Sequence, residues 1–196
     1  MKKSEAQIVL ASASARRREL LGQMGVSFMV RPADIDEQML ENESPEQYVR
    51  RLAAEKSAAR FSEQKAGLPV LGADTIVVLD NDVLGKPAGR TSALAMLERL
   101  SGRQHRVMTA VSVRGRDHWQ ALSETRVWFR KLHYSEVAEY WATGEPCDKA
   151  GAYAIQGVGG LFVQRIEGSY SGVVGLPIYE TAVLLKKAGI GLLVRG

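Results

Sequence analysis

The sequence has 196 residues and very little cysteine, because Cys147 is the only one. A single cysteine excludes an internal disulfide and is typical of proteins in a reducing cytosol. The sequence also lacks any apolar run near the ~20 residues that a membrane-spanning helix needs. The apolar run near its start is too short for a secretory signal peptide. We therefore expect a cytoplasmic protein without a membrane partner.

The sequence also lacks a large excess of charged residues of one sign. Lysine and arginine number 26 against 22 acidic residues, which gives a net charge of +4, and aromatic residues make up only 7%. A nucleic-acid-binding surface combines a basic face with exposed aromatic side chains. We therefore expect no nucleic-acid partner, whereas a mild positive charge suits small anionic ligands.

No internal repeat, low-complexity tract or linker interrupts the chain, and its length predicts one domain over residues 1–196. Predicted strands and helices alternate, which favours an α/β fold with a mixed sheet flanked by helices. Helices are predicted over Ala15–Met24 and over residues 44–64. The second helix begins with Ser44 as N-cap and Pro45 at the first helical position.

The stretch "VLASASARRREL" places Arg16–Arg18 in the first turn of a predicted helix whose N-cap is Ser14. A helix N-terminus carries partial positive charge and disfavours cations. Together with the Ser12 hydroxyl, the free backbone N–H groups and the guanidinium groups would form an anion site, most simply for phosphate. The alternative is a capped surface helix whose arginines are solvated.

An isolated carboxylate marks the next candidate. Asp74 and Thr75 interrupt the otherwise apolar pattern "LGADTIVVL", and Gly72 permits a bulge or a close ligand approach. A carboxylate in a buried strand must be paired, bind a metal or face a cleft. A functional role is therefore favoured over a purely structural one.

Lys56 follows Val49, Leu52 and Ala53 at helical spacing, so it lies on the core-facing side of its helix. Such a lysine either extends its ammonium to solvent or delivers the charge into a polar cleft.

The loop "DIDEQ" gathers Asp34, Asp36 and Glu37 after the second predicted strand. Clustered carboxylates suit Mg²⁺, which typically binds one or two of them together with substrate phosphates. The alternative is a solvated acidic loop.

Two later segments supply further candidates. Lys86 lies in the tight loop "LGKP", which restricts its mobility and suits a phosphate contact. Gln156 lies in "DKAGAYAIQGVGG", whose glycines lack the GxGxxG spacing of dinucleotide-binding loops. A glycine-rich loop that carries an amide can recognise a base edge. The segment can equally be an irregular connection.

In this order, the motifs resemble the Maf family of nucleoside triphosphate pyrophosphatases, also called septum-formation inhibitor proteins. The similar segments cover nearly the whole chain and are "LASASARRRELL", "DIDE", "LAAEKSAA", "VLGADTIVVLDNDVLGKP", "LSGRQHRVMTAV", "DKAGAYAIQGVGGLFVQRIEGSY" and "VVGLPIYET". Ala15 stands where the family usually has proline. Alanine is the best helix former, so little function should change.

The resemblance implies the fold of the inosine triphosphate pyrophosphatases, usually dimeric. It also implies hydrolysis of a nucleoside triphosphate to a monophosphate and pyrophosphate with a divalent cation, Mg²⁺ or Mn²⁺. The family's catalytic aspartate, a base for the attacking water or a metal ligand, falls on Asp74. Its acidic-loop glutamate, a metal ligand, falls on Glu37, and its phosphate-binding cations fall on Arg17, Lys56 and Lys86. Phosphoryl transfer depends mainly on positioning and charge neutralisation, which agrees with this assignment.

Arg16, Thr75 and Gln156 resemble the family branch that acts on dTTP and UTP. The branch that acts on 7-methyl-GTP typically has an aromatic residue, a serine and an acidic residue there. A neutral amide suits a pyrimidine edge. We therefore predict dTTP and UTP as substrates, extending to modified pyrimidine nucleotides in a house-cleaning role. The alternatives are a 7-methyl-GTP pyrophosphatase and, in another class, a non-catalytic nucleic-acid-binding or cell-division regulatory protein.

Overall fold

The computed structural model describes residues 5–63 and 67–192. Within these residues seven strands form one sheet, with the bounds β1 Ile8–Leu10, β2 Phe28–Val30, β3 Val70–Leu79, β4 Asp82–Leu84, β5 Gln104–Arg114, β6 His118–Phe129 and β7 Val163–Glu167. The α-helices of the same residues are α1 Ala15–Gln23, α2 Pro45–Glu63, α3 Arg90–Leu100, α4 Tyr134–Ala142, α5 Tyr170–Val174 and α6 Ile178–Lys187. Short 3₁₀ segments cover Glu145–Asp148, Ala150–Ala152 and Val158–Phe162.

The sheet has the strand order β2-β1-β3-β5-β6-β7, and β4 pairs with β3. Strand β1 is parallel to both β2 and β3, whereas β4 is antiparallel to β3 and β7 is antiparallel to β6. Parallel and antiparallel pairs occur in one sheet, so the predicted mixed α/β class is confirmed. No helix among the described residues has the length and apolar character needed to cross a membrane.

The chain divides into two compact units. The first comprises Met1–Asp74, Thr109–Ser123 and Gly175–Gly196, and the second comprises Thr75–Met108 and Glu124–Val174. The prediction of one domain over residues 1–196 stays a prediction. In the second unit, a core of buried apolar and aromatic side chains contains Val77, Leu79, Leu84, Ala93, Leu94, Leu97, Leu100, Val107, Val127, Phe129, Leu132, Val137, Tyr140, Ala152, Tyr153 and Phe162.

Both predicted helix starts are confirmed. The Ser14 hydroxyl accepts a hydrogen bond from the N–H of Arg17 at 3.4 Å, which caps α1. In α2 the Ser44 hydroxyl accepts from the N–H of Gln47 at 3.3 Å, and the Gln47 side chain accepts from the N–H of Ser44 at 2.9 Å. This reciprocal pair satisfies two N–H groups that the helix itself leaves free. The predicted end of α2 at residue 64 lies outside the described residues.

Gly72 lets β3 lie directly on α2 in the first unit. A Cβ atom at Gly72 would lie 2.5 Å from the carbonyl oxygen of Ala53 and 2.6 Å from the backbone nitrogen of Ser57. These distances leave no room for a side chain, because both neighbours are backbone atoms in a close-packed interior. The close approach that this glycine permits is therefore to a helix.

A histidine is enclosed in the second unit. His105 is 2% exposed, and its Nε2 lies 2.8 Å from the hydroxyl oxygen of Tyr153. The ring meets Phe129 edge to face, with centroids 4.9 Å apart. Burial lowers the pKa of His105 to about 4, because an imidazolium here would lose its hydration.

We expect Gly72→Ala to destabilise the protein by about 2 kcal/mol, because the new methyl group forces α2 and β3 apart. Gly22→Ala is the matched control: a Cβ there meets nothing within 4 Å, and alanine is favoured over glycine in a helix such as α1. Urea-unfolding midpoints measure both. Equal or smaller destabilisation by Gly72→Ala would contradict the close packing.

Acid should destabilise the fold through His105. Between a pH of roughly 6.5 and about 4, the unfolded chain binds a proton that the native imidazole does not, so the free energy of unfolding falls as the pH drops. The expected loss from pH 7.5 to pH 4.5 is on the order of 2 kcal/mol. His105→Gln should show a shallower decline in urea unfolding. An unchanged decline would show that His105 titrates normally.

Candidate active site

Lys56 of α2 brings two carboxylates together in the first unit. Its Nζ lies 2.6 Å from Oδ1 of Asp74 and 2.6 Å from Oε1 of Glu37. Lys56 and Asp74 are each 8% exposed, whereas the side chain of Glu37 is 48% exposed. The ammonium of Lys56 therefore does not extend to solvent but lies between two carboxylates, and its delivery into a polar cleft stays a prediction. Asp74 is paired, as a buried carboxylate must be.

Local structure explains why the ammonium reaches this place. Val49, Leu52 and Ala53 are buried with Lys56 on one side of α2. The contact at Gly72 then sets α2 close to β3, the strand that carries Asp74. A lysine on the core-facing side of α2 therefore ends beside a carboxylate, which compensates its desolvation.

Arg17 supplies a second cation in the first unit. Its Nε donates to the carbonyl of Gly175 at 2.8 Å, and its Nη1 donates to the Ser12 hydroxyl at 3.2 Å. Burial lowers the pKa of Arg17, the negative charge of Asp74 raises it, and the positive charge of Arg16 lowers it again. A guanidinium stays protonated in proteins despite such shifts, so Arg17 is a fixed positive charge near Asp74.

The start of α1 is therefore only partly a solvated surface. Ser12 is 7% exposed, and its hydroxyl also accepts the N–H of Ser14 at 3.2 Å. Arg16 and Arg17 are half-buried, whereas Arg18 is exposed. Two cations and a buried hydroxyl thus gather at a helix N-terminus, an arrangement that favours an anion. Phosphate binding there stays a prediction.

The loop that carries Glu37 is held by two α2 side chains that sequence reasoning missed. The Tyr48 hydroxyl donates to the carbonyl of Glu37 at 2.7 Å, and Arg51 Nη2 donates to the carbonyl of Gln38 at 2.9 Å. Arg51 also pairs with Glu43 at 2.6 Å, and this hydrogen bond raises the pKa of Arg51. Tyr48 and Arg51 lie three residues apart on α2, and this spacing gave only a weak indication of their role, because their partners are backbone carbonyls.

Only one acidic residue of this loop contacts Lys56. Asp34 is exposed, and Asp36 accepts the N–H of Gln38 at 2.9 Å. Among residues 5–63 and 67–192, no group of three or more His, Cys, Asp or Glu side chains could hold a metal ion. Glu37 and Asp74 nevertheless place one oxygen each 2.6 Å from a single cationic nitrogen. Two carboxylates that converge on one cation fit Mg²⁺, which completes its coordination with water and substrate phosphates.

The remaining predicted site residues belong to the second unit. Thr75 is half-buried in β3, whereas Lys86 and Gln156 are exposed in loops. The two loop regions are bonded to each other, because the N–H of Gly151 donates to the carbonyl of Gly85 at 3.1 Å. The predicted roles of these residues stay predictions.

The sequence is similar to dTTP/UTP pyrophosphatases of other organisms. A dTTP/UTP pyrophosphatase of Methylococcus capsulatus is 53% identical over 192 residues, which cover 97% of this chain and 95% of that protein. A dTTP/UTP pyrophosphatase of Vibrio cholerae is 54% identical over 92% of this chain and 97% of that protein.

Solved structures give a more distant similarity. A dITP/XTP pyrophosphatase from Mycobacterium abscessus has 16% sequence identity and a TM-score of 0.41, covering 64% of this chain and 73% of that one. The Ham1 protein of Staphylococcus aureus has 14% identity and a TM-score of 0.43, covering 61% and 69%. These TM-scores are low, and neither similarity supports a conclusion about activity. A family model described as Maf-like protein, in contrast, matches residues 7–188. The chain therefore belongs to the Maf family.

Proposed function

We propose that the protein is a nucleoside triphosphate pyrophosphatase that hydrolyses dTTP and UTP to the monophosphate and pyrophosphate. The observation that carries the proposal is the buried ammonium of Lys56 between Asp74 and Glu37. The relatives named dTTP/UTP pyrophosphatase, at about half identity over almost the full chain, support the substrate. The name Maf-like protein of the matching family model agrees with it.

In this proposal the cations of the first unit bind the triphosphate. Arg17 and Lys56 provide two positive charges, and the Ser12 hydroxyl with the start of α1 provides hydrogen-bond donors. Arg17 is fixed by its bonds to Gly175 and Ser12, so little reorganisation is needed when charge develops on the phosphates. Preorganised charge of this kind is the main protein contribution to phosphoryl transfer. The family resemblance assigns a phosphate contact to Lys86 as well.

Glu37 and Asp74 would hold the divalent cation, Mg²⁺ in the first instance and Mn²⁺ as a substitute. When bound, such an ion neutralises phosphate charge and polarises the anhydride that is cleaved. Asp74 would orient the attacking water as well, because its carboxylate oxygens accept hydrogen bonds. Lys56 holds both carboxylates together.

Base selection is assigned to Gln156, Thr75 and Arg16 in this proposal. The exposed Gln156 offers one donor and one acceptor, which match the O4 and N3–H edge of uracil or thymine. Thr75 and Arg16 complete the set that resembles the pyrimidine branch. We also propose a homodimer in the cytoplasm, where the exposed free thiol of Cys147 would stay reduced.

Asp74→Asn should lower turnover of UTP by about 100-fold or more, because the amide keeps the shape but neither accepts a proton nor carries charge. Pyrophosphate release with and without Mg²⁺ measures the effect.

Asp82→Asn is the matched control, since the Asp82 side chain is 69% exposed and pairs with Arg99 at the surface. It should keep wild-type turnover. Near-normal turnover by a folded Asp74→Asn protein would refute the role of Asp74, and wild-type activity that is independent of divalent cations would refute the metal.

Wild-type protein should cleave dTTP and UTP well ahead of ATP, GTP and 7-methyl-GTP. A site that hydrogen-bonds one base edge discriminates against bases that lack the matching donor and acceptor. Gln156→Glu should reduce this preference, since a carboxylate is an acceptor only. Values of kcat/KM for the five nucleotides provide the measurement.

The control for the added charge is Gln164→Glu on β7, where the side chain is also exposed. It should leave the substrate order unchanged. A wild-type preference for 7-methyl-GTP would replace the pyrimidine assignment, and absence of cleavage of all five nucleotides would refute the enzyme.

A further inference from the structure

Gln156 lies in a backbone turn of the second unit. The N–H of Gly157 donates to the carbonyl of Ala154 at 3.2 Å, which closes the turn around Ile155 and Gln156. The Gln156 side chain is exposed. The position of its amide therefore depends on what holds the turn, because packing of the side chain itself does not.

Two side chains hold the turn from both sides. The Oε1 of Glu145 accepts the N–H of Gly159 at 3.0 Å, and its Oε2 accepts the N–H of Val158 at 3.0 Å. The Tyr140 hydroxyl donates to Oε1 of Glu145 at 2.7 Å and accepts the N–H of Ala154 at 3.1 Å. Ala154 precedes Gln156 and Val158 follows it, so one connected pair of side chains fixes both ends. We call this pair the Glu145–Tyr140 latch.

The glycines next to Gln156 make room for the latch. A Cβ atom at Gly157 would overlap the carboxylate of Glu145, and one at Gly159 would lie 2.6 Å from the hydroxyl oxygen of Tyr140. The glycine spacing that does not fit a dinucleotide-binding loop is thus explained by close packing against these two side chains.

Packing anchors the latch, and its two side chains have the protonation states that its hydrogen bonds require. Tyr140 is 3% exposed, and its ring meets Phe162 edge to face with centroids 5.0 Å apart. Burial raises the pKa of Tyr140, so its hydroxyl remains a donor. Burial also acts to raise the pKa of Glu145, but hydrogen bonds from Gly159, Tyr140 and Val158 outweigh it and the pKa is lowered. Glu145 therefore stays an acceptor at neutral pH.

We propose that Glu145 and Tyr140 are positioning residues for base recognition, which hold the turn so that the amide of Gln156 meets the pyrimidine edge. This inference rests on the proposed pyrimidine triphosphate activity. It goes beyond that activity because it assigns selectivity to residues that do not touch the base.

Kinetics separate this role from a purely structural one. In Glu145→Ala, kcat/KM for UTP should fall by about 10-fold or more, mainly through a higher KM, while kcat/KM for GTP changes far less. Glu145→Gln keeps one acceptor oxygen, so its kcat/KM for UTP should lie between those of the wild type and Glu145→Ala. Glu139→Ala removes the same charge from an exposed site on α4 and should keep the wild-type ratio of UTP to GTP.

A double-mutant cycle tests the connection to Gln156. If the latch acts through this amide, Gln156→Ala and Glu145→Ala should each lower the UTP-to-GTP ratio, and the double variant should lower it no further. Additive losses, or a wild-type ratio in Glu145→Ala, would overturn the proposal.

Hydrogen exchange tests the latch independently of the reaction. Backbone amides of Val158 and Gly159 should exchange at least ~10-fold faster in Glu145→Ala than in wild type, while amides of β1 and α1 stay unchanged. Unchanged exchange at 158–159 would overturn the latch even if activity fell. A wild-type protein that cleaves no nucleotide would refute the proposed function and the selectivity role, and exchange would still decide whether Glu145 holds the turn.

Discussion

The buried ammonium of Lys56 is the constraint on which the first unit depends. A charge with 8% exposure cannot stay without partners, because the loss of hydration costs several kcal/mol, on the order of 3–5 when one partner of a buried pair is removed. Asp74 and Glu37 compensate this cost at 2.6 Å each. Several features then follow from one requirement: a glycine at position 72, a carboxylate inside an apolar strand, and an acidic loop drawn toward α2.

Both units hold the backbone next to an exposed residue of proposed function in the same way. Glu37 is half-exposed, and Tyr48 and Arg51 of the neighbouring helix hold the backbone of its loop. The exposed Gln156 has its turn held by Tyr140 at the end of α4 and by Glu145 just beyond it. Hydrogen bonds to backbone groups fix where a loop lies without restricting the exposed side chain that it carries. Such side chains can then meet a ligand at a small entropic cost.

Local signals predicted much of the fold and part of the site. Caps are set by neighbouring residues, so Ser14 and Ser44 predicted the starts of α1 and α2, and α1 ends at Gln23, one residue before the prediction. The spacing of apolar residues, which is also a local signal, placed Lys56 on the buried side of its helix. Strand β7 was not predicted, because its residues are half-buried or exposed and show no alternation.

The residues that hold these loops could not be predicted from neighbouring residues in the sequence. Tyr48 and Tyr140 look like ordinary aromatic residues of amphipathic helices, and only their hydroxyl partners reveal a role. Tyr48 donates to a backbone carbonyl, and Tyr140 accepts a backbone N–H while it donates to the carboxylate of Glu145. Every sequence contains backbone groups at every position, so no residue pattern marks the backbone contacts. The choice of Glu37 from three acids in one loop is likewise decided by the distance to Lys56.

The hydrogen bond from Arg17 to the carbonyl of Gly175 joins positions 158 residues apart. Loop closure over such a distance comes late in folding, since ordering the intervening chain costs entropy before the contact can form. During synthesis Arg17 is made before Gly175, so this hydrogen bond cannot form until Gly175 has left the ribosome. The N-terminal end of α1, the proposed phosphate site, therefore gains this hydrogen bond only after the residues up to Gly175 have been made.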